Sequence, residues 1–337
     1  MNNLMEMINT SRNLSQSTLK NYSRTLQRLQ KNVNQKEVEP FLTNWEQVLS
    51  KIKNGYKKPY QLNLLSAYIV ALDSYNQNIP SIDMKEGLVQ LRKYQMKIKL
   101  ELDKNKYNQM KSEKEEMNWV SFDILQQSIK NNLKAVNKII KRADSYSMKE
   151  AKIIMNWVIS VLYTGSKENP PVRLDFNNMI VKTKEEYAED HDENQNYLVI
   201  HSLRTKYFIF AEYKTSKSYG KKSIKLAPEL NKMINKWMQL KSKVKGIDSN
   251  YLLFNNKGGA VGESSMSNYI NDAFVSTGKH ITLNLIRHIF ISDIANKLTL
   301  LERKKISEKM CHNLEMQLSY NKFQFYHNHY FFRALGS

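Results

Sequence analysis

Residues 310–322 read MCHNLEMQLSYNK, which sets a histidine, His312, and a tyrosine, Tyr320, eight positions apart. A tyrosine phenol has a pKa of about 10, so its phenolate is scarce at neutral pH. Cationic neighbours favour the charged form and so make the oxygen a better nucleophile. Cations stand in other stretches. Arg173 lies in YTGSKENPPVRLDF, just after an apolar helix and a double proline. Lys214 enters a turn in AEYKTSKSYG, and Arg287 shares an otherwise apolar helix, ITLNLIRHIFIS, with His288. Each has an ordinary reading. Arg173 would be an ion-pair partner of Asp175, Lys214 a solvated turn lysine, and Tyr320 an aromatic on a helix. Arg287 needs a partner, because burying an unpaired charge is costly. Taken singly, no stretch decides.

The 337 residues carry 52 Lys+Arg against 32 Asp+Glu, a formal net charge of +20. Charge of that size implies a polyanionic partner, nucleic acid before a membrane surface. No strongly amphipathic, Trp/Phe-rich anchor stands out. The sequence has no apolar run near transmembrane length and no signal-peptide core at its N-terminus. Its single cysteine, Cys311, excludes an intramolecular disulfide and a cysteine-based zinc cluster. The Gly-rich nucleotide loop and the H-E-x-x-H pair are both missing, so an enzyme built on this chain is expected to use no cofactor and no metal.

Among the elements that must position these residues, helices come first: the initial hundred or so residues predict nothing else. In STLKNYSRTLQRLQK, Leu19, Tyr22, Leu26 and Leu29 fall at helical spacing, with Ser17 or Thr18 as N-cap. Lys20, Arg24, Arg28 and Lys31 lie largely off that stripe. They read as a solvated face or, in a chain this basic, as a contact along a DNA backbone. PFLTNWEQVLSKIKNG and YQLNLLSAYIVALDSY continue the helical pattern on either side of a breaker run at 54–59. Residues 82–117 predict a long helix running into a polar connector, KSEKEEMN. Beyond it, AKIIMNWVISVLYTG predicts an apolar helix ending at Gly165. YLVIHSLRTKYFIFAEYKTSKSYGKKSIKLAP predicts a β-hairpin or three-stranded sheet, and helices resume from Glu229. The expected fold class is mainly α with a small β-sheet, an α+β catalytic part behind a helical N-terminal part. The expected domains are 1–115 and 116–337.

Taken in order, these stretches resemble the catalytic domain of the tyrosine recombinase (integrase) family. That family presents Arg, Lys, His/Lys, Arg, His/Trp and Tyr in this chain order. Arg173 matches the first arginine, after a YTG-type helix end, and Lys214, followed by Thr215, matches the hairpin lysine. Arg287 in LIRHIFIS matches the second arginine, His312 in MCHN the following histidine, and Tyr320 the nucleophile. STLKNYSRTLQRL is similar to the start of the family's helical core-binding domain, so Lys20, Arg24, Arg28 and Lys31 become the expected DNA contacts there. The resemblance spans roughly nine-tenths of the chain. Departures are visible. Asn284 stands where the family's H-x-x-R usually has its histidine; an asparagine can donate a hydrogen bond but is no base near neutral pH. Asp175 follows Arg173 by two residues where the family's acid follows by three, and His312 precedes Tyr320 by eight where nine is commoner.

The resemblance implies cleavage and rejoining of DNA strands through a 3′-phosphotyrosine, without ATP or metal. Arg173 and Arg287 would bracket the non-bridging oxygens, where a planar guanidinium matches phosphate. His312 would donate a hydrogen bond to the same phosphate. Lys214, with Lys217 as its rival, would be the general acid for the departing 5′-hydroxyl. Tyr326 and Tyr330 rank behind Tyr320, His288 is expected to pack under the arginine helix, and Trp119 and Trp237 read as packing residues. The implied partner is double-stranded DNA, bound by a homo-oligomer, dimer to tetramer, with the aromatic C-terminal tail docked on a neighbouring protomer. The implied role is integration of a viral or mobile genome, wherever the target DNA lies, a host nucleus or viral factory for a virus. Two alternatives stay open. A type IB topoisomerase uses nearly the same residues as a monomer, and a basic DNA binder with a degenerate site would need no catalysis.

Overall fold

A computed structural model describes residues 1–322 apart from Leu174, Asn296 and Cys311, and leaves out the side chains at 105–107 and 295. The readings of the C-terminal tail, Tyr326, Tyr330 and Cys311 therefore lie outside the described residues. The chain divides into two compact units, Met1–Asn108 and a second beginning at Gln109.

The first unit is helical throughout its described residues: α1 (Asn2–Arg12), α2 (Gln16–Asn32), α3 (Val38–Thr43), α4 (Trp45–Gly55), α5 (Lys58–Asn78) and α6 (Ile82–Tyr107). The apolar stripe of α2 behaves as its spacing dictates. Leu26 and Leu29 have no exposed surface, with Leu19 and Tyr22 partly buried beside them. Lys20, Arg24, Arg28 and Lys31 all face solvent. The cap differs from expectation: Ser15, not Ser17 or Thr18, accepts the Thr18 backbone N–H at 3.3 Å. Its extended backbone suits the Ncap position. α5 is the central helix, burying Leu64, Leu65, Tyr68, Ala71 and Leu72. The Tyr68 hydroxyl donates to the carbonyls of Phe41 and Leu42 at 2.9 and 3.0 Å. Gly87 on α6 lies so close to Trp45 that a Cβ there would meet the indole at 2.6 Å.

The second unit opens with α7 (Glu113–Asn118), α8 (Phe122–Ile140) and α9 (Met148–Thr164). The stretch read as a polar connector thus forms a helix, started by a Ser112–Glu115 capping box. Then come β1 (Ile180–Thr183), α10 (Lys184–Glu189), β2 (Tyr197–Ile200), β3 (Lys206–Phe210), α11 (Ser216–Tyr219) and β4 (Lys222–Lys225). The strands pair in the order β1-β2-β3-β4, with β1 parallel to β2 and the other pairs antiparallel. The expected three-stranded sheet is β2 to β4, and β1 adds a fourth strand that the sequence reading missed. α12 (Pro228–Lys241), α13 (Glu263–Ala273), α14 (Leu283–Ala295), α15 (Leu300–Lys309) and α16 (Leu314–Tyr320) follow. Apolar α9 runs through the core, with Ile154, Met155, Val158 and Ile159 without exposed surface. Trp237 is a packing residue, stacked on Phe254 and donating its indole N–H to the Leu252 carbonyl at 2.8 Å. Trp119 is partly buried against the same core. No helix among the described residues is long and apolar enough to cross a membrane.

Candidate active site

α9 stops at Gly165, whose φ of +74° and ψ of 177° fall in a region open almost only to glycine. A tight turn follows, in which Ser166 N–H reaches the Asn169 carbonyl at 2.8 Å and Asn169 N–H the Ser166 hydroxyl at 3.1 Å. Pro170 and Pro171 then lead the chain to Arg173. The Pro171 carbonyl accepts a hydrogen bond from the Arg287 guanidinium at 3.2 Å, tying this loop to α14. Arg173 itself is half-buried. Its backbone N–H, rather than its guanidinium, is what Asp175 Oδ2 accepts, at 3.1 Å.

α14 is apolar on nearly every side, which draws it into the core and takes Arg287 with it. Arg287 has no exposed surface. Besides Pro171, its guanidinium meets His312 Nδ1 at 3.1 Å and lies 5.3 Å from the centre of the Tyr320 ring. Burial lowers the Arg287 pKa, opposed first by the Tyr320 phenol. Burial also pushes Asp175 up to about 6, against the pull of Arg287 and Arg173.

His312 sits in the short turn between α15 and α16, its backbone N–H on the Ser307 carbonyl at 3.1 Å. A guanidinium has only donors, so His312 Nδ1 must accept, which puts the proton of the neutral ring on Nε2. Burial, then Arg287 and Arg173, brings the His312 pKa down to about 3, so the ring is neutral at physiological pH. α16 starts on Asn313, which caps Met316 N–H at 2.7 Å, and Gln317 pins it to the Arg303 carbonyl at 3.1 Å. Tyr320 is the last residue of this helix. The Tyr320 and His312 rings meet edge to face, 5.3 Å between centres, so the eight-residue spacing brings the two together.

The cluster therefore gathers Arg287, His312 and Tyr320 in direct contact, with Arg173 close enough to act on His312 and Asp175 by charge. Three of its buried donors, Arg173 Nε, Arg287 Nε and His312 Nε2, have no hydrogen-bond partner among the described residues. Buried donors normally have one, and phosphate oxygens are matching acceptors for guanidinium and imidazole N–H groups. Two sequence candidates stay outside. Lys214 is exposed on the β3–β4 connection, and no hydrogen bond or ion pair joins its ammonium to the cluster among the described residues. Its strand end is nevertheless anchored nearby: buried Asn196 donates to the carbonyls of Asp175 and Glu212 at 3.1 and 2.8 Å. Asn284, one turn before Arg287, is exposed.

Sequence reasoning missed one pair. His288, expected only to pack under its helix, pairs through Nδ1 with Glu115 Oε1 and lays its ring 4.8 Å from that of Tyr320. The adjacent R-H dipeptide was visible, but its carboxylate lies in the stretch read as linker.

The chain is similar to XerH site-specific recombinase bound to difH substrate in a pre-cleavage complex. Identity is 11%, the match covers 94% of this chain and 79% of that one, and the TM-score is 0.51. A post-cleavage complex of XerH on palindromic difH gives 12% identity, 94% and 80% coverage and a TM-score of 0.51. The chain has the tyrosine-recombinase fold. The Tn1549 transposon integrase in complex with transposon right end DNA also matches, at 14% identity, 95% coverage of each chain and a TM-score of 0.49. No family model and no curated protein matches the sequence. The α+β class and the recombinase-like architecture expected from the sequence are borne out.

Proposed function

We propose that this protein cleaves and rejoins double-stranded DNA by transesterification through Tyr320. One observation carries the reading: two guanidiniums, an imidazole and a phenol from three separate segments come together, with three buried donors left without a partner among the described residues. The XerH structures were solved on DNA, and a formal charge of +20 suits the same ligand.

In the proposed reaction, Arg173, Arg287 and neutral His312 donate hydrogen bonds to the non-bridging oxygens of one phosphate. The Tyr320 phenol loses its proton to solvent and its oxygen attacks phosphorus. The bond from phosphorus to the 5′-oxygen breaks, and that oxygen takes a proton from a general acid, Lys214, once the β3–β4 connection closes on DNA. The product is a 3′-phosphotyrosine and a free 5′-hydroxyl. Attack by a 5′-hydroxyl reverses these steps and joins the strands. One phosphodiester-type bond replaces another, so no nucleotide need be spent. Integration or excision of a mobile or viral genome by a dimer to tetramer on DNA is the proposed setting, with Lys20, Arg24, Arg28 and Lys31 along the backbone. Asn284 donates where the family's histidine would.

Incubation with nicked suicide duplexes tests this. A covalent adduct that disappears in Tyr320→Phe is expected; duplex binding with no adduct on any substrate would leave only a DNA-binding protein.

A further inference from the structure

We infer that Glu115 is a positioning residue which, through His288, sets the orientation of the Tyr320 phenol. The inference rests on the strand-transfer reading above. It begins with two polar side chains that the reaction does not otherwise use: Glu115 is 19% exposed and His288 16%. The Glu115 carboxylate is fixed on both sides. One oxygen pairs with His288 Nδ1; the other accepts the Ser112 backbone N–H and hydroxyl, each at 2.8 Å. A carboxylate anchored in this way locks the imidazole in one tautomer and one plane. Burial alone would raise the Glu115 pKa, but the bonds from His288 and Ser112 bring it down to about 2, which keeps the carboxylate charged.

The locked imidazole is one wall of the tyrosine's slot. Its ring lies 4.8 Å from the Tyr320 ring at 46°, while His312 stands at 85° and Arg287 lies over the ring. His312 and Arg287 also carry donors for the phosphate, so His288 is the neighbour left to hold the ring alone. The same opening segment of the unit grips the backbone around Tyr320. Gln109 donates to the Leu318 carbonyl at 3.4 Å, and Lys322 to that of Met110 at 3.1 Å. Ser292, one turn after His288, accepts the Lys322 N–H at 2.8 Å. α16 has seven residues and only Gln317 buried. So short a helix has little stability of its own, and the clamp supplies what it lacks.

The test compares wild type, Glu115→Gln and Thr183→Ala. Gln keeps the size and a cap acceptor but not the charged pair; Thr183→Ala removes the remote α10 capping box as a control for lost stability. Three quantities are read: adduct formation on nicked duplexes with randomised sequence around the nick, duplex affinity, and nitration of Tyr320 by tetranitromethane mapped by mass spectrometry. Glu115→Gln is expected to slow adduct formation about tenfold to hundredfold. It should leave affinity unchanged and alter the Tyr320 nitration rate several-fold, with Thr183→Ala like wild type in all three. Wild-type adduct and nitration rates in Glu115→Gln, or equal losses in Thr183→Ala, would overturn the positioning role. If wild type itself forms no adduct, the strand-transfer reading falls, and the nitration comparison alone decides whether Glu115 sets the phenol.

Discussion

A guanidinium without exposed surface is expensive unless its donors are used; Arg287 uses its two terminal nitrogens on a carbonyl and an imidazole and lies over the face of a phenol, with Nε left over. A lysine could serve only some of these, from a single point. Arg287→Lys is expected to lower adduct formation by about a hundredfold or more, the scale of losing one preorganised donor, as single-turnover cleavage would show. The titrating groups have signs of their own. His312 is held near 3 in the fold against 6.5 ordinarily, so the unfolded chain binds more protons between those values. Its stability contribution is present above pH 6.5 and is lost as pH falls toward 3. Asp175, raised from 3.8 to about 6, has the opposite sign and loses stability as pH rises through that window, so the two largely offset there. In His312→Asn the offset is gone. The gap in urea stability between wild type and variant should widen from pH 3 to 6.5 and flatten above; a gap independent of pH would refute the assignment.

Between elements, the site depends on where a helix stops. Gly165 ends α9 with a φ of +74°, and a Cβ there would lie 2.5 Å from Pro171 Cδ. Gly165→Ala should cost about 1–3 kcal/mol and displace the Pro171 carbonyl that holds Arg287. Thermal unfolding and adduct formation, measured together, should show activity falling further than stability. Much of this level was legible in the sequence. The α2 stripe, the end of α9 and the β2–β4 meander each carry a local period or a turn residue. β1 does not: four residues pairing in parallel with a strand that begins 17 positions later leave no hairpin signal. The α2 cap was misplaced because several hydroxyls compete within that stretch, and backbone geometry chose Ser15. The order of Arg173, Arg287, His312 and Tyr320 could be read from motifs. The Glu115–His288 pair could not, since its members stand 173 positions apart with nothing local to join them. Nor could the sequence choose between the two readings of Lys214, because a loop lysine looks the same whether it faces solvent or substrate.

For the whole molecule, the proposed binding to DNA would be salt-dependent, given a formal charge of +20. The exposed row on α2 gives a measurable share of it. Replacing Lys20, Arg24, Arg28 and Lys31 by alanine should weaken binding to all duplexes alike. It should also reduce the slope of log affinity against log salt by about 0.9 for each phosphate that the variant no longer neutralises. Titrations at several salt concentrations would show it, and an unchanged slope would remove α2 from the interface. The chemistry is tested most directly by trapping the protein on nicked duplex and identifying the DNA-linked peptide by mass spectrometry. The expected peptide spans the end of α16 with DNA attached to Tyr320. DNA attached to any other residue, or no attachment while the duplex is bound, would contradict the site built from Arg173, Arg287, His312 and Tyr320.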